Sequence, residues 1–502
     1  MQGIPDIKSS LYKIKPSYFL YIGLGVFFYM TLIFLPVLVI PFVHHDDYNF
    51  FLPTQTIFGI HFYPPVLNGF LLGREVLVLL DSLFMPLIHN VSDLAFFRML
   101  TIFLSTISVI LFSYRLIKIN LSLFIALIIS LMIFLLPGAQ FYILFVNGCG
   151  MMVAIFLGLM ASELFSRATD KSFFRNNFFC KILPAFTLFF IALNTYQAAA
   201  MFFLVPVLAL TVFSPFTYWN RTRKIVMFHI TFFTIGVIIY FLFHRFIALP
   251  IFEKMFKIAR NQGDLYEFSL TANILEKVKF FIFDLSPQSL NLWNIYPKIS
   301  ITMLSIGLIT LGVIFSFFNY KKNLNFKARN CFEVFFITIL LLLLSNLPNL
   351  SAKGGLAVYR ATFVYSAMII ILVAWSILVI SQKIPTEWRS HIVYGAFLLC
   401  LVLGSLLADS NVAATAVSDN KELSYMKAEI ANQEGKKLVG IHVIRPHGGV
   451  SFLNLPYRID EFNAPSTHFP QDIPMMLHVI VGNKSDQSFS IIESSAYKKN
   501  YS

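Results

Sequence analysis

The chain is 502 residues long and carries 38 Lys and Arg against 25 Asp and Glu, a formal charge of +13. Only 13% of its residues are charged, where soluble domains carry about 25%, while 57% are hydrophobic, 57 residues are Phe and the mean hydropathy is +0.74. That composition disfavours a cytosolic enzyme, a nucleic-acid-binding domain and a disordered chain, and it reads as a polytopic α-helical membrane protein.

A helix that crosses a bilayer needs about 20 mostly apolar residues. Runs of that kind fall near 18–43, 94–114, 121–137, 141–165, 182–194, 197–213, 225–249, 299–318, 332–348, 360–381 and 390–408, eleven expected transmembrane helices in all. The first run is longer than a signal-peptide core and no small-residue cleavage site follows it, so it is expected to stay as an anchor. The stretch 182–213 is interrupted at Asn194, Thr195, Tyr196 and Gln197; it reads as two short spans joined by a hairpin, with one long bent helix as the competing reading. Basic residues gather at every second connection: Lys8, Lys13 and Lys15, then Arg115 and Lys118, Arg167 to Lys181, Arg221 to Lys224, Lys321 to Arg329, and Lys383 with Arg389. The positive-inside rule makes these cytoplasmic and puts the N-terminus inside. The other connections are then extracytoplasmic, among them the long loops 44–93 and 250–298.

In the first long loop, Arg74 to Asn90 reads as an amphipathic or re-entrant helix kinked near Pro86. Residues 1–408 form the expected membrane domain. Beyond Asp409 the composition becomes that of a soluble module, 409–502, expected to be α+β, with a helix from Asp419 to Asn432 and strands at Leu438–Ile444 and Pro474–Val481. Cys149, Cys180, Cys331 and Cys400 lie in or beside apolar segments without paired spacing and read as packing residues. Asn147-Gly148-Cys149-Gly150 reads as close helix packing through small residues.

The candidate chemistry sits in His44-His45-Asp46-Asp47-Tyr48, directly after the first span. A carboxylate at an apolar boundary can serve as a general base on a hydroxyl, and a pair of solvated acids capping a helix end is the competing reading. Neighbours in an extended chain point to opposite sides, so one acid faces a substrate while the other orients a neighbour; Asp46 is the favoured base. Four adjacent residues do not converge on one ion unaided, so no metal site is expected from His44, His45 and the acid pair. Arg74 and Arg360 are the candidate phosphate ligands, because guanidinium pairs bidentately with phosphate oxygens, and snorkelling to the interface is the plainer alternative. Glu75 reads as a neutralising partner for Arg74. Tyr196 and Gln197 are candidates for contacts to a sugar. Lys353-Gly354-Gly355 reads as a surface loop, and Arg445-Pro446-His447-Gly448-Gly449 with Arg458-Ile459-Asp460-Glu461 as a turn and an ion pair or as contacts to a glycan.

Asp46-Asp47-Tyr48 after the first span, Gly73-Arg74 ahead of an apolar helix, Tyr196-Gln197 in an outer hairpin and Tyr359-Arg360 opening a late span all fall on one predicted side. In these features the chain resembles the GT-C superfamily of polytopic glycosyltransferases, and within it most the Gtr serotype-converting glucosyltransferases that decorate bacterial O-antigen. The resemblance covers most of the chain and is weakest in the C-terminal module. It implies an inverting glycosyl transfer, glucosyl in that family, from a polyprenyl phosphate sugar to a hydroxyl of lipid-linked or lipopolysaccharide O-antigen, at the periplasmic face of the inner membrane. Asp46 and Asp47 would be catalytic; Tyr48, Arg74, Tyr196, Gln197 and Arg360 would bind substrate. It implies no cofactor, and a companion donor synthase and flippase as partners. No Gly-rich phosphate loop points to a nucleotide donor. An O-antigen polymerase or ligase is the nearest rival, and a lipid-linked sugar flippase or transporter the rival from another class, which predicts ionisable groups within spans and broken helices.

Overall fold

The computed structural model describes residues 16–51, 55–57, 60–62, 69–170, 178–256, 274–294, 298–321, 328–351, 357–432, 476, 479 and 480. The first apolar run forms α1 (Pro16–Ile33) and α2 (Leu35–Val39), separated at Phe34, with a proline in the first turn of α2. A 3-10 turn (His45–Phe51) and a short antiparallel ribbon, β1 (Gln55–Ile57) against β2 (Ile60–Phe62) with Gln55 opposite Phe62, follow. Then comes α3 (Glu75–Phe84), which ends in a 3-10 turn at Met85–Leu87 as expected from Pro86. A capping box opens the 3-10 turn Val91–Asp93 that leads into α4 (Leu94–Lys118): Asn90 accepts from the Ser92 N–H while Asp93 accepts from the N–H of His89 and Asn90. Reciprocal caps of this kind satisfy donors that a helix start leaves open.

The chain continues through α5 (Leu123–Phe134), α6 (Pro137–Leu144), α7 (Gly148–Asp170), α8 (Phe178–Thr195), α9 (Gln197–Ala200), α10 (Val205–Phe213), α11 (Trp219–Phe243) and α12 (Leu249–Phe256). The later elements are α13 (Ile274–Lys279), α14 (Ser286–Leu290), α15 (Lys298–Lys321), α16 (Ala328–Ser345), α17 (Leu347–Ser351), α18 (Tyr359–Ser381) and α19 (Thr386–Ala431). Among the described residues six helices are long and apolar enough to cross a membrane, or seven if the bent pair α5–α6 counts as one span. The eleven predicted runs all fall on helices, several of them short or broken, so the structure supports six or seven spans and not the full count. The most buried of the six is α18, at 78%, whereas α15 is 17% buried. Large apolar side chains such as Phe28, Phe246, Phe283, Phe317 and Phe335 line the exterior. Helices that are apolar on both faces, with one face bare, fit a lipid surround.

Three expectations change. The predicted tip at 138–140 and the fourth span starting at 141 are replaced by α6, a separate buried helix bent 60° from α5. Pro137 explains the break, because proline can begin a helix but cannot continue one. The predicted boundary at 408 is not a break in structure: α19 runs through it for 46 residues. No proline interrupts 386–431, and Val412, Ala416, Asp419 and Leu423 are buried at helical spacing past the boundary, so packing outweighs the polar local sequence. At the second strand candidate, Met476, Val479 and Ile480 are helical, while Leu438–Ile444 lies outside the described residues.

Candidate functional site

The 3-10 turn after α2 places Asp47 in the protein interior. Its Oδ1 accepts the Val146 N–H at 2.9 Å and its Oδ2 accepts from Arg98 Nη2 at 3.3 Å, with both side chains 0–1% exposed. Arg98, one turn into α4, also donates from Nε to the Leu144 carbonyl at 3.0 Å and from Nη2 to the Phe42 carbonyl at 3.1 Å. Its guanidinium lies 3.6 Å from the Phe42 ring centroid. Both Asp47 oxygens are thus occupied by protein donors, and this acid orients its surroundings. The backbone of Asp46 belongs to the same turn; its side chain lies outside the described residues, as do Lys353-Gly354-Gly355, Arg445-Pro446-His447-Gly448-Gly449 and Arg458-Ile459-Asp460-Glu461. Tyr48 is fully buried in an apolar cluster with Val43, Phe50, Leu94, Phe97, Val146, Leu423 and Met476.

The other predicted residues connect to this turn through aromatic rings. Arg360, in the first turn of α18, faces the rings of Phe141 and Phe145 at 5.4 and 5.9 Å. Phe145 in turn lies 4.9 Å from the His44 ring. The Arg360 carbonyl accepts from the Tyr142 hydroxyl at 2.6 Å, and the Tyr142 ring packs edge-on against Tyr196 at 6.3 Å. Tyr196 lies under the Arg74 guanidinium at 4.6 Å. Arg74, Tyr196, Arg360 and the acid-bearing turn therefore form one continuous neighbourhood, with α6 at its centre. At Arg74 the guanidinium rests on the Tyr196 ring, and among the described residues it pairs with no carboxylate and its Nε makes no hydrogen bond, which leaves N–H groups for an anion.

Gln197 serves the turn ahead of Arg74. Its Nε2 donates to the carbonyls of Leu72 and Gly73 at 2.8 and 2.9 Å, and the Tyr240 hydroxyl donates to the Gly73 carbonyl at 2.9 Å. Gly73 has φ +71°, and a Cβ there would lie 2.1 Å from the Tyr240 hydroxyl oxygen. Glu75 is not the partner of Arg74 that the sequence suggests. Its Oε1 is 2.7 Å from His244 Nδ1, on a π-helical turn (His244–Ala248) that continues α11. Beside this pair an apolar groove of about 280 Å³ runs between Phe190, Ile191 and Asn194 of α8 and Phe243, Ile247 and Phe252, with Glu75 at its edge.

The site includes features that the sequence reading passes over: Arg98, the pairing of His44 with Asp419, and Asp81. Asp81 sits on the buried face of α3 with Leu77 and Val78, one helical turn on from them, a placement visible in the spacing. Burial and, secondly, the charge of Asp47 raise its pKa well above the ordinary carboxylate value. A carboxyl raised in this way stabilises the fold while protonated, below its unfolded value, and that contribution is lost as pH rises through the native value. Asp81→Asn, which cannot ionise, is expected to raise the melting temperature at pH 8 by about 2–4 °C and to leave it unchanged at pH 4. Melts of the two proteins across that pH range check it, and a lower melting temperature for the variant at pH 8 would overturn it.

Comparison with protein families and with curated proteins gives no match to this chain.

Proposed function

We propose that the chain is a membrane glycosyltransferase that moves a sugar, glucosyl by the resemblance, from a polyprenyl phosphate to a hydroxyl of O-antigen or a related lipid-linked polysaccharide. The observation that carries this reading is the joining of an acid-bearing turn to two arginines held on aromatic faces, next to an apolar groove. Asp46 removes the acceptor proton, the freed oxygen attacks the anomeric carbon with inversion, and the bond to phosphate breaks. Arg74 and Arg360 stabilise the departing phosphate. The groove beside Arg74 suits part of an isoprenoid tail. Asp47 orients this turn through Arg98 and Val146, and Gln197 orients Arg74. In this reading the acid end faces the periplasm of an inner membrane, the N-terminus is cytoplasmic, and a donor synthase and flippase are partners; the alternating loop charges support that orientation.

A flippase for the same lipid is the second reading, favoured by the broken pair α5–α6 and by the charges buried at Arg98 and Glu163. Detergent-purified protein supplied with polyprenyl phosphate glucose and acceptor separates the two, since transfer needs neither a sealed membrane nor a gradient. Asp46→Asn is expected to reduce transfer about 10²–10⁴-fold, the range of general-base catalysis, with donor binding retained. A near-normal rate in that variant would remove Asp46 from the mechanism. No donor consumption by the wild-type protein would favour the flippase.

A further inference from the structure

Asp419 and His44 stand 375 positions apart in the chain. In the fold, Asp419 Oδ2 lies 2.6 Å from His44 Nδ1, and the two side chains are 2% and 0% exposed. The neighbouring Asn420 donates from Nδ2 to the Pro41 carbonyl, at 2.5 Å. Further back on α19, Asn411 Nδ2 donates to Gln140 Oε1 on α6 at 3.1 Å. The charge of Asp419 also acts on Arg98, the partner of Asp47. The far part of α19 and Arg98 thus both hold residues 41–47.

What it grips is a strained piece of backbone. His45 has φ +38°, a left-handed value that residues with a side chain adopt only where their surroundings fix it. The His44 ring supplies that fixing, tilted against the His45 ring at 4.1 Å between centroids and edge-on to Phe145 at 4.9 Å. On the buried stripe of Val412, Ala416, Asp419 and Leu423, an apolar side chain at 419 would pack without desolvating a charge. The carboxylate is explained by the imidazole it holds, since accepting from Nδ1–H sets both ring orientation and tautomer.

We propose that Asp419 is a positioning residue of the transfer site: it fixes His44, and with it the turn that bears Asp46 and Asp47, so the acid pair is placed for reaction only while the far end of α19 is docked. The catalytic consequence rests on the glycosyltransferase reading, whereas the placement of the turn does not. The test uses the full chain in detergent and reads backbone hydrogen exchange over residues 43–51 together with transfer kinetics. Asp419→Ala is expected to speed exchange in that segment about tenfold, the scale of one lost hydrogen bond to a charged group. It should lower kcat about tenfold while KM for polyprenyl phosphate glucose stays within about twofold. Asp419→Asn, whose amide oxygen still accepts from Nδ1–H, should recover most of both losses. Leu401→Ala, a packing change elsewhere on α19, should lower the melting temperature and leave kcat and the exchange of 43–51 as in wild type. Unchanged exchange over 43–51 in Asp419→Ala overturns the proposal, as does an equal loss of kcat in Leu401→Ala. Faster exchange in Asp419→Ala, when the wild-type protein shows no transferase activity, supports the positioning and refutes the transferase reading.

Discussion

Arg98→Leu is expected to destabilise the protein by about 3–5 kcal/mol, the cost of leaving one member of a buried ion pair without its partner. The Asp47 carboxylate would keep the Val146 N–H but lose its cation. The carbonyls of Phe42 and Leu144 would lose the donors that now satisfy them, and each buried orphan adds to the loss. Asp47→Asn should lie at the lower end of the same range, because Arg98 keeps both carbonyls and the nearby charge of Asp419. Removing both charges in Arg98→Leu/Asp47→Asn should recover part of the deficit, giving a coupling of about 1–3 kcal/mol in a double-mutant cycle. Melts of the four detergent-purified proteins measure it. Strict additivity would mean that the pair is only a contact and would leave the burial of Asp47 without its reason. Under the proposed function this is a division of labour within the acid pair: an acid whose two oxygens are filled by Arg98 and Val146 holds the turn, and Asp46 is the proposed base.

Legibility follows periodicity. Apolar runs locate the helices, and Pro86 and Pro137 act where backbone sterics say they should. The predicted dipeptides Gly73-Arg74, Tyr196-Gln197 and Tyr359-Arg360 meet in space, although nothing in their spacing requires it. Their joint is α6, whose eight residues the hydropathy pattern divides between a tip at 138–140 and the start of a span at 141. The length of α19 is hidden for another reason: polar residues beyond Asp409 read as the start of a separate soluble module with its own helix from Asp419, and only the buried stripe joins that helix to the span. Long-range partners such as His44 and Asp419 carry no local signal at all. Arg98 does carry one, a cation inside an apolar run, which is a functional pointer by default. Adjacency pairs Glu75 with Arg74, whereas the π-helical turn brings it His244.

Among the glycines of the described residues, Gly148→Ala should be the most damaging addition of a methyl group. A Cβ at that position would lie 1.5 Å from the Tyr142 carbonyl oxygen and 2.4 Å from its carbonyl carbon, both backbone atoms of α6. A flexible side chain could swing aside, but the C-terminal half of α6 and the residues just past it are held in place. Tyr142 donates to the Arg360 carbonyl, Arg98 binds the Leu144 carbonyl, and Asp47 takes the Val146 N–H. Relieving the clash means moving those partners apart, which separates the turn that bears the acids from Arg360. The expected loss exceeds about 4–5 kcal/mol, the level at which a single substitution signals a specific structural failure, and folded protein should not accumulate in the membrane. Gly23→Ala and Gly25→Ala supply the contrast. Both sit in α1, where an added Cβ would meet nothing within 4 Å, and there the substitution should stabilise by about 0.5–1 kcal/mol through helix propensity alone. Membrane yield and melting temperature of the three variants decide the matter. A well-folded Gly148→Ala protein with normal transfer would mean that α6 is free to shift, and the candidate site would then lose the element that joins its two halves.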